Sequence, residues 1–162
     1  MHLVVGTPCY GGMMCTEYTQ SLLALKEACL VNNIKLTCVF LGNESLVQRG
    51  RNTIAHHFMQ MQDATHLIFI DADQKFVAND IARMIKADKG IVGGPVPMKG
   101  INWDKVRQGA VLNHPNLAAL TGIFNLNKLD GHEMISPDLP FQVKHIGTGF
   151  MLIRRDVFEK LQ

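Results

Sequence analysis

Short apolar runs alternate with helix-period stretches through the first part of the chain, and that alternation sets the expected fold. Leu3 to Thr7 reads as a first strand, stopped by Pro8 and opened into a loop by Gly11 and Gly12. Tyr18, Leu22, Leu25 and Cys29 then fall at i, i+4, i+7 and i+11, one apolar stripe of a helix that ends at Asn32-Asn33. A second strand covers Lys35 to Leu41 and turns at Gly42-Asn43. The next helix is expected to begin between Arg49 and Asn52, with Ile54, Ala55, Phe58 and Met59 on its buried side. His66 to Ile70 is an apolar run rich in β-branched and aromatic residues, the composition of a strand buried on both faces. Asn79 is placed to cap a helix whose Ile81, Met84 and Ile85 face inward. Gly90 to Gly94 reads as a further strand, ended by glycines and stopped by Pro95 and Pro97.

Repeated strand–helix units call for an α/β fold with a mostly parallel central sheet and helices on both faces. The pattern weakens between Lys99 and Pro140, where Asn, Gly, His and Pro interrupt short apolar pieces such as Ala118 to Phe124. Loops of that length are usually lids, small hairpins or partly ordered segments. Order returns at Val143 to Ile153, and Asp156 starts a short helix through Leu161.

Composition narrows the class. At 162 residues the chain fits one domain, large enough to bury roughly 70% of its unfolded surface. A formal charge of +2 gives no general electrostatic case for nucleic-acid binding, and no apolar stretch approaches a membrane span. Met1 to Gly6 reads as a strand instead of a signal peptide. Cys9, Cys15, Cys29 and Cys38 lack zinc-type spacing, so a reduced compartment, the cytoplasm, is the expected location.

The candidate chemistry gathers at the strand ends, because ligands of open parallel sheets bind beyond the carboxyl ends of the strands. The run ending at Ile70 passes directly into Asp71-Ala72-Asp73. In an extended backbone, residues i and i+2 point to the same side, so the two carboxylates would converge. Convergent carboxylates repel unless a cation sits between them, and a hard divalent ion carrying a phosphorylated ligand meets that need. Thr7-Pro8-Cys9-Tyr10, Asn43 and Gly93-Gly94 should line the same edge. Tyr10 could stack on a nucleobase or serve as a plain loop aromatic. Arg49, Arg51 and Asn52 lie at the expected helix start, where guanidinium groups either bind phosphate or are ordinary surface charges. His56-His57 has no matching carboxylate at i+4 and reads as a solvated pair. No Walker or dinucleotide fingerprint is present.

Taken together, these features resemble nucleotide-sugar-dependent glycosyltransferases of the GT-A fold, most closely the small family-two-like enzymes of large DNA viruses and phages. Four segments carry the likeness. Thr7 to Gly12 resembles the first nucleotide loop, Gln48 to Ala55 the arginine-asparagine helix start, and Thr65 to Asp73 the DxD strand. Gly147 to Arg155 is similar to the late strand that closes the sugar pocket, and Gly94 to Lys99 with Asn102-Trp103 fits the loop before the acceptor region. The resemblance implies a Rossmann-like GT-A domain over residues 1–162, with residues 1–98 binding nucleotide and 99–162 facing the acceptor. It implies transfer of a sugar from a nucleoside diphosphate donor to a hydroxyl of a glycan or other acceptor. Asp73 would ligate Mn²⁺ or Mg²⁺, and Asp71 would contact the ribose or the metal. Arg49 and Arg51 would assist the departing diphosphate, and Gly147, Thr148 and Gly149 would lie against the donor sugar. Trp103 could stack on an acceptor ring, although a loop-anchoring tryptophan is as well supported. For a viral member, the host cytoplasm is the expected location.

One element of the pattern is missing. Inverting members carry a catalytic carboxylate, and often a metal-binding histidine, after the late strand, whereas this sequence stops at Gln162. That leaves three alternatives: a base among the remaining acids, a C-terminally truncated domain, or transfer with retention that needs no base. Asp130, Glu133, Asp138 and Asp156 are the acids of the second half, and none sits in a matching motif. The alternatives are a nucleotide-sugar or glycan-binding remnant without turnover, and a sugar nucleotidyltransferase. The latter usually has a basic first loop, which Thr7 to Gly12 lacks.

Overall fold

The computed structural model describes residues 1–129 and 140–161. Two compact units are present, one formed by Met1–Gly93 with Thr148–Gln162 and the other by Gly94–Gly147. The late strand belongs to the sheet of the first unit.

In the first unit, β1 (His2–Cys9) leads into α1 (Thr16–Val31), β2 (Lys35–Gly42), α2 (Val47–Gln60), β3 (His66–Ile70), α3 (Ala78–Lys86) and β4 (Ile91–Gly93). The second unit holds α4 (Trp103–Val111) and a small antiparallel hairpin of β5 (Leu126–Lys128) and β6 (Val143–Ile146). The chain returns to the first unit as β7 (Phe150–Arg154) and α5 (Arg155–Glu159).

The central sheet has the order β2-β1-β3-β7-β4. β1 pairs in parallel with β2 and β3, whereas β7 runs antiparallel to both β3 and β4. Four of the five strands therefore run the same way and β7 is the one reversed, so the sheet is mostly parallel, as expected, with one antiparallel strand set between β3 and β4. The expected βαβ series would set β4 beside β3, but β7 occupies that place. Its sequence suits a central position, since Phe150 and Leu152 are buried on one face and Ile153 packs on the other.

Alternation along the strands assigns the layers. Val4, Leu67 and Phe69 pack with Ile54 and Phe58 of α2, and Phe158 of α5 joins them. α2 lies close on β1, because a Cβ at Gly6 would collide with Ile54 Cγ2. Thr7 and Phe150 face the other way, toward Tyr18 of α1 and Phe76 after β3, with Tyr18 and Phe76 ring centroids 5.8 Å apart. Arg155 fastens the late segment to the end of α2. It donates to the carbonyls of Met59, Met61 and Ala64 at 2.9–3.2 Å and lies over the Phe58 ring.

Several local expectations shift. α2 begins at Val47, so Arg49 and Arg51 sit inside its first two turns instead of at its start. The cap of α3 is Val77, and Asn79 lies within the helix with no capping role. α4 forms in the stretch where periodicity fails, with the Asn102 side chain accepting from the Lys105 N–H at its start. All four cysteines are unpaired, and among the described residues no helix is long and apolar enough to cross a membrane.

Candidate functional site

The carboxyl ends of β1 and β3 and the turn after β2 open onto a cleft of about 530 Å³. Its lining is Pro8, Tyr10, Met13, Met14, Cys15, Glu44, Ser45, Val47, Asp71, Ala72 and Asp73, all in the first unit.

Asp71-Ala72-Asp73 is shaped by a turn and not by an extended strand. The Gln74 N–H donates to the Asp71 carbonyl at 3.0 Å, which closes the turn one residue past β3. This corrects the convergence argument: the two aspartates face one cleft because the chain folds back. The turn is tied on three sides. The Asp71 N–H donates to the Gly149 carbonyl at 2.9 Å, the Cys15 N–H donates to the Ala72 carbonyl at 2.9 Å, and the Phe76 N–H donates to Ser21 Oγ at 3.1 Å. Buried backbone groups are thereby satisfied, and the carboxylates are carried on a braced frame.

The charge of the lining is one-sided. Glu44, Asp71 and Asp73 contribute carboxylates, and no lysine or arginine is among the lining residues. Two helix N-termini reach the cleft, at Cys15 before α1 and at Ser45 to Val47 where α2 begins. Unpaired N–H groups there favour anions. The carboxylates oppose that preference, so an anionic ligand would need a cation alongside it.

Two arginines of α2, neither among the lining residues, pair with carboxylates that are. Arg51 Nη2 donates to Asp71 Oδ1 at 2.7 Å, and its guanidinium lies 6.0 Å from the centre of the Phe69 ring. Arg49 forms a two-point pair with Glu44, Nε to Oε2 at 2.5 Å and Nη2 to Oε1 at 2.7 Å. That pair, with the Leu46 N–H, holds the Glu44 carboxyl below its ordinary range.

The sequence-derived site residues divide into three sets. Pro8, Tyr10, Asp71, Ala72 and Asp73 line the cleft, with Tyr10 74% exposed and its ring open to a ligand. Thr7 and Cys9 do not line it. Both are buried, Thr7 sharing a hydrogen bond of 2.5 Å with the Tyr18 hydroxyl and the Cys9 thiol pointing back to the Thr7 carbonyl. β1 extends through Cys9, so odd-numbered side chains turn toward α1, and the expected loop begins only at Tyr10. Asn43, Arg49 and Asn52 are exposed and outside the lining, and Asn43 takes a left-handed φ of 61° to make the turn after β2.

Gly149 supports the Asp71 turn through its carbonyl, and Thr148 beside it is exposed. Gly147 belongs to the second unit, where its N–H donates to Asn125, and neither glycine lines the cleft. Trp103 is the first residue of α4, 58% exposed in the second unit. His56 and His57 are both exposed, as expected of a solvated pair. Asp156 is held by Arg154 and Lys160, while Asp130, Glu133 and Asp138 lie outside the described residues.

Sequence reasoning missed Glu44, Met13, Met14, Cys15, Ser45 and Val47. Glu44 follows the Gly42-Asn43 turn, and an acid just after a strand end was the available signal. The apolar members carry no chemical signature that separates them from core.

Among the described residues, no group of three or more His, Cys, Asp or Glu side chains could hold a metal ion. Asp71 and Asp73 alone would leave most ligands of a divalent cation to water and a phosphorylated ligand, as is usual for Mg²⁺. A cage supplied wholly by protein is not what they form.

No family model matches the chain, and no curated protein matches it. Among solved structures it is similar to the viral protein A197 from STIV, at 20% identity and a TM-score of 0.56. That match covers 100% of this chain and 69% of the other. It supports a Rossmann-like α/β fold.

Proposed function

We propose that the chain is a metal-dependent glycosyltransferase domain of the GT-A type, using a nucleoside diphosphate sugar as donor. The observation that carries this reading is the cleft at the strand ends, where Tyr10 and the braced Asp71-Ala72-Asp73 turn share one lining with no basic side chain. Its acidity explains why a diphosphate would enter only together with a cation. The exposed Tyr10 ring supplies a stacking surface for the base, with Pro8 and Val47 as apolar walls. Asp71 and Asp73 would hold Mn²⁺ or Mg²⁺. When bound, that cation neutralises charge on the leaving diphosphate as a Lewis acid. The N–H groups opening α1 and α2 add positive potential on the phosphate side.

A second reading, donor binding without turnover, draws on a different observation. In residues 99–162 the described acids are all tied up. Asp104 pairs with Arg107, Asp156 with Arg154 and Lys160, and Glu159 with Arg155. Among the described residues of that stretch, no carboxylate therefore stands out as a base toward an acceptor.

The test is release of nucleoside diphosphate from UDP- and GDP-sugars in Mn²⁺, with water or simple glycosides as acceptors. Glycosyl transfer predicts release above background that Asp73→Asn abolishes. Binding without release supports the second reading, and neither binding nor release by folded protein sinks both.

A further inference from the structure

The Arg51–Asp71 pair has an odd geometry for a purely structural ion pair. Asp71 is a cleft-lining carboxylate, and its side chain is 40% exposed, whereas the Arg51 side chain is only 17% exposed. The guanidinium spends one Nη on Asp71 Oδ1, while its Nε is buried and has no hydrogen-bond partner. A buried donor left unpaired is costly, and a well-made structural arginine uses its whole fork. Arg155 is the contrast within this chain, with Nε, Nη1 and Nη2 all engaged.

We infer that Arg51 is a placeholder for the cation, occupying the Asp71 carboxylate until a divalent ion displaces it. This rests on the reading of Asp71 and Asp73 as cation ligands. Arg51 and the ion are rivals for one carboxylate, so the ion alone binds weakly. Once displaced, Arg51 keeps its charge at the edge of an acidic cleft, with its fork free for phosphate oxygens. Anything that draws off the guanidinium then strengthens cation binding, and the cation in turn strengthens phosphate binding, because coupling between two ligands is reciprocal. The empty cleft thereby stays electrically balanced at Asp71, and the full cation–phosphate set assembles together. Arg51 is in this account a positioning residue that sets the order and cooperativity of binding.

The experiment is titration with Mn²⁺ alone, without nucleotide, following the free-ion electron paramagnetic resonance signal. Arg51→Met should bind Mn²⁺ about tenfold tighter than the native chain, a coupling of ordinary size. Adding Asp71→Asn to Arg51→Met should erase the gain. Equal, measurable affinity in the native chain and Arg51→Met overturns the placeholder role while leaving the cation site standing. No binding by either at millimolar Mn²⁺ overturns the cation site and the placeholder together. The native protein provides a check that does not depend on the variant folding. In a Mg²⁺ titration followed by NMR, the Arg51 side-chain Nε–H resonance should move with the same midpoint as the Asp71 amide. An Asp71 amide that shifts while the Arg51 resonance stays fixed contradicts the inference.

Discussion

Thr7 is the residue for which sequence and structure disagree most sharply about role, and a double-mutant cycle with Tyr18 decides between them. Both side chains are fully buried, and their hydroxyls share a hydrogen bond of 2.5 Å beneath the cleft. Burial also pushes the Tyr18 hydroxyl up to about 12, which keeps it protonated at any working pH. Thr7→Val preserves shape and leaves the Tyr18 hydroxyl without a partner, a loss of about 1–3 kcal/mol. Tyr18→Phe strands the Thr7 hydroxyl at similar cost. Removing both partners leaves no orphan, so the double variant should be less destabilised than the sum of the singles by about 1 kcal/mol or more. For a chain of this size the single variants should melt roughly 3–10 °C lower. Urea unfolding of the four proteins gives the coupling directly, and calorimetry with UDP or GDP in Mn²⁺ gives the binding side. Additive losses would refute the hydrogen-bond argument. A Thr7→Val protein of native stability with lost nucleotide affinity would return Thr7 to the ligand.

Three further outcomes follow from other parts of the structure. Arg155→Ala removes donors to three carbonyls and a stacking contact with Phe58, and should cost about 2–4 kcal/mol in urea unfolding; a loss below about 1 kcal/mol contradicts its role as the fastener of α2. Tyr10→Ala should weaken nucleotide binding by about 1–3 kcal/mol with an unchanged melting temperature, since the ring is 74% exposed; a large drop in stability would make it a structural aromatic. Acid sensitivity should arrive in two windows. Burial, then the nearby Arg154 charge, lowers His66 below 6.5, so the unfolded chain takes the proton first and stability present above 6.5 is lost as pH falls through the folded value. Asp156 is lowered from 3.8 to about 2 by its hydrogen bonds from Arg154, so its contribution is present above 3.8 and fades as pH falls toward 2. Melting curves of the native chain and His66→Gln, compared from about pH 7.5 down to about 5, should diverge as the pH drops below the ordinary histidine value.

The sequence was most legible where burial dictates pattern. β3 occupies His66–Ile70 as expected because Leu67 to Ile70 are all buried, and a strand covered on both faces tolerates little but apolar residues. Of the α1 stripe Tyr18, Leu22, Leu25 and Cys29, three are buried and Leu22 is only partly so, with Ser21 buried beside it. The direction of β7 was not readable, because it depends on how the chain returns through residues 94–147 and not on its own composition. α4 has no clean amphipathic stripe to read, since Val111 at its end and Leu112 just after it are both exposed. At the strand ends, Pro8, Tyr10, Asp71 and Asp73 line the cleft where the strand-end argument puts them, whereas Thr7 and Cys9 turn inward through the parity of β1. The engagement of Arg49 with Glu44 and of Arg51 with Asp71 links segments 5 and 20 residues apart, and no local pattern encodes it.

The central claim is that Asp71 and Asp73 hold a cation that admits a nucleoside diphosphate to an otherwise acidic cleft. Isothermal calorimetry of UDP and GDP against the folded chain, with and without Mn²⁺, measures that dependence most directly. The account predicts binding of at least one nucleotide in Mn²⁺, little or none in its absence, and loss of the Mn²⁺-dependent part in Asp73→Asn. Nucleotide binding that is indifferent to both the ion and Asp73, or no binding at all, would contradict it.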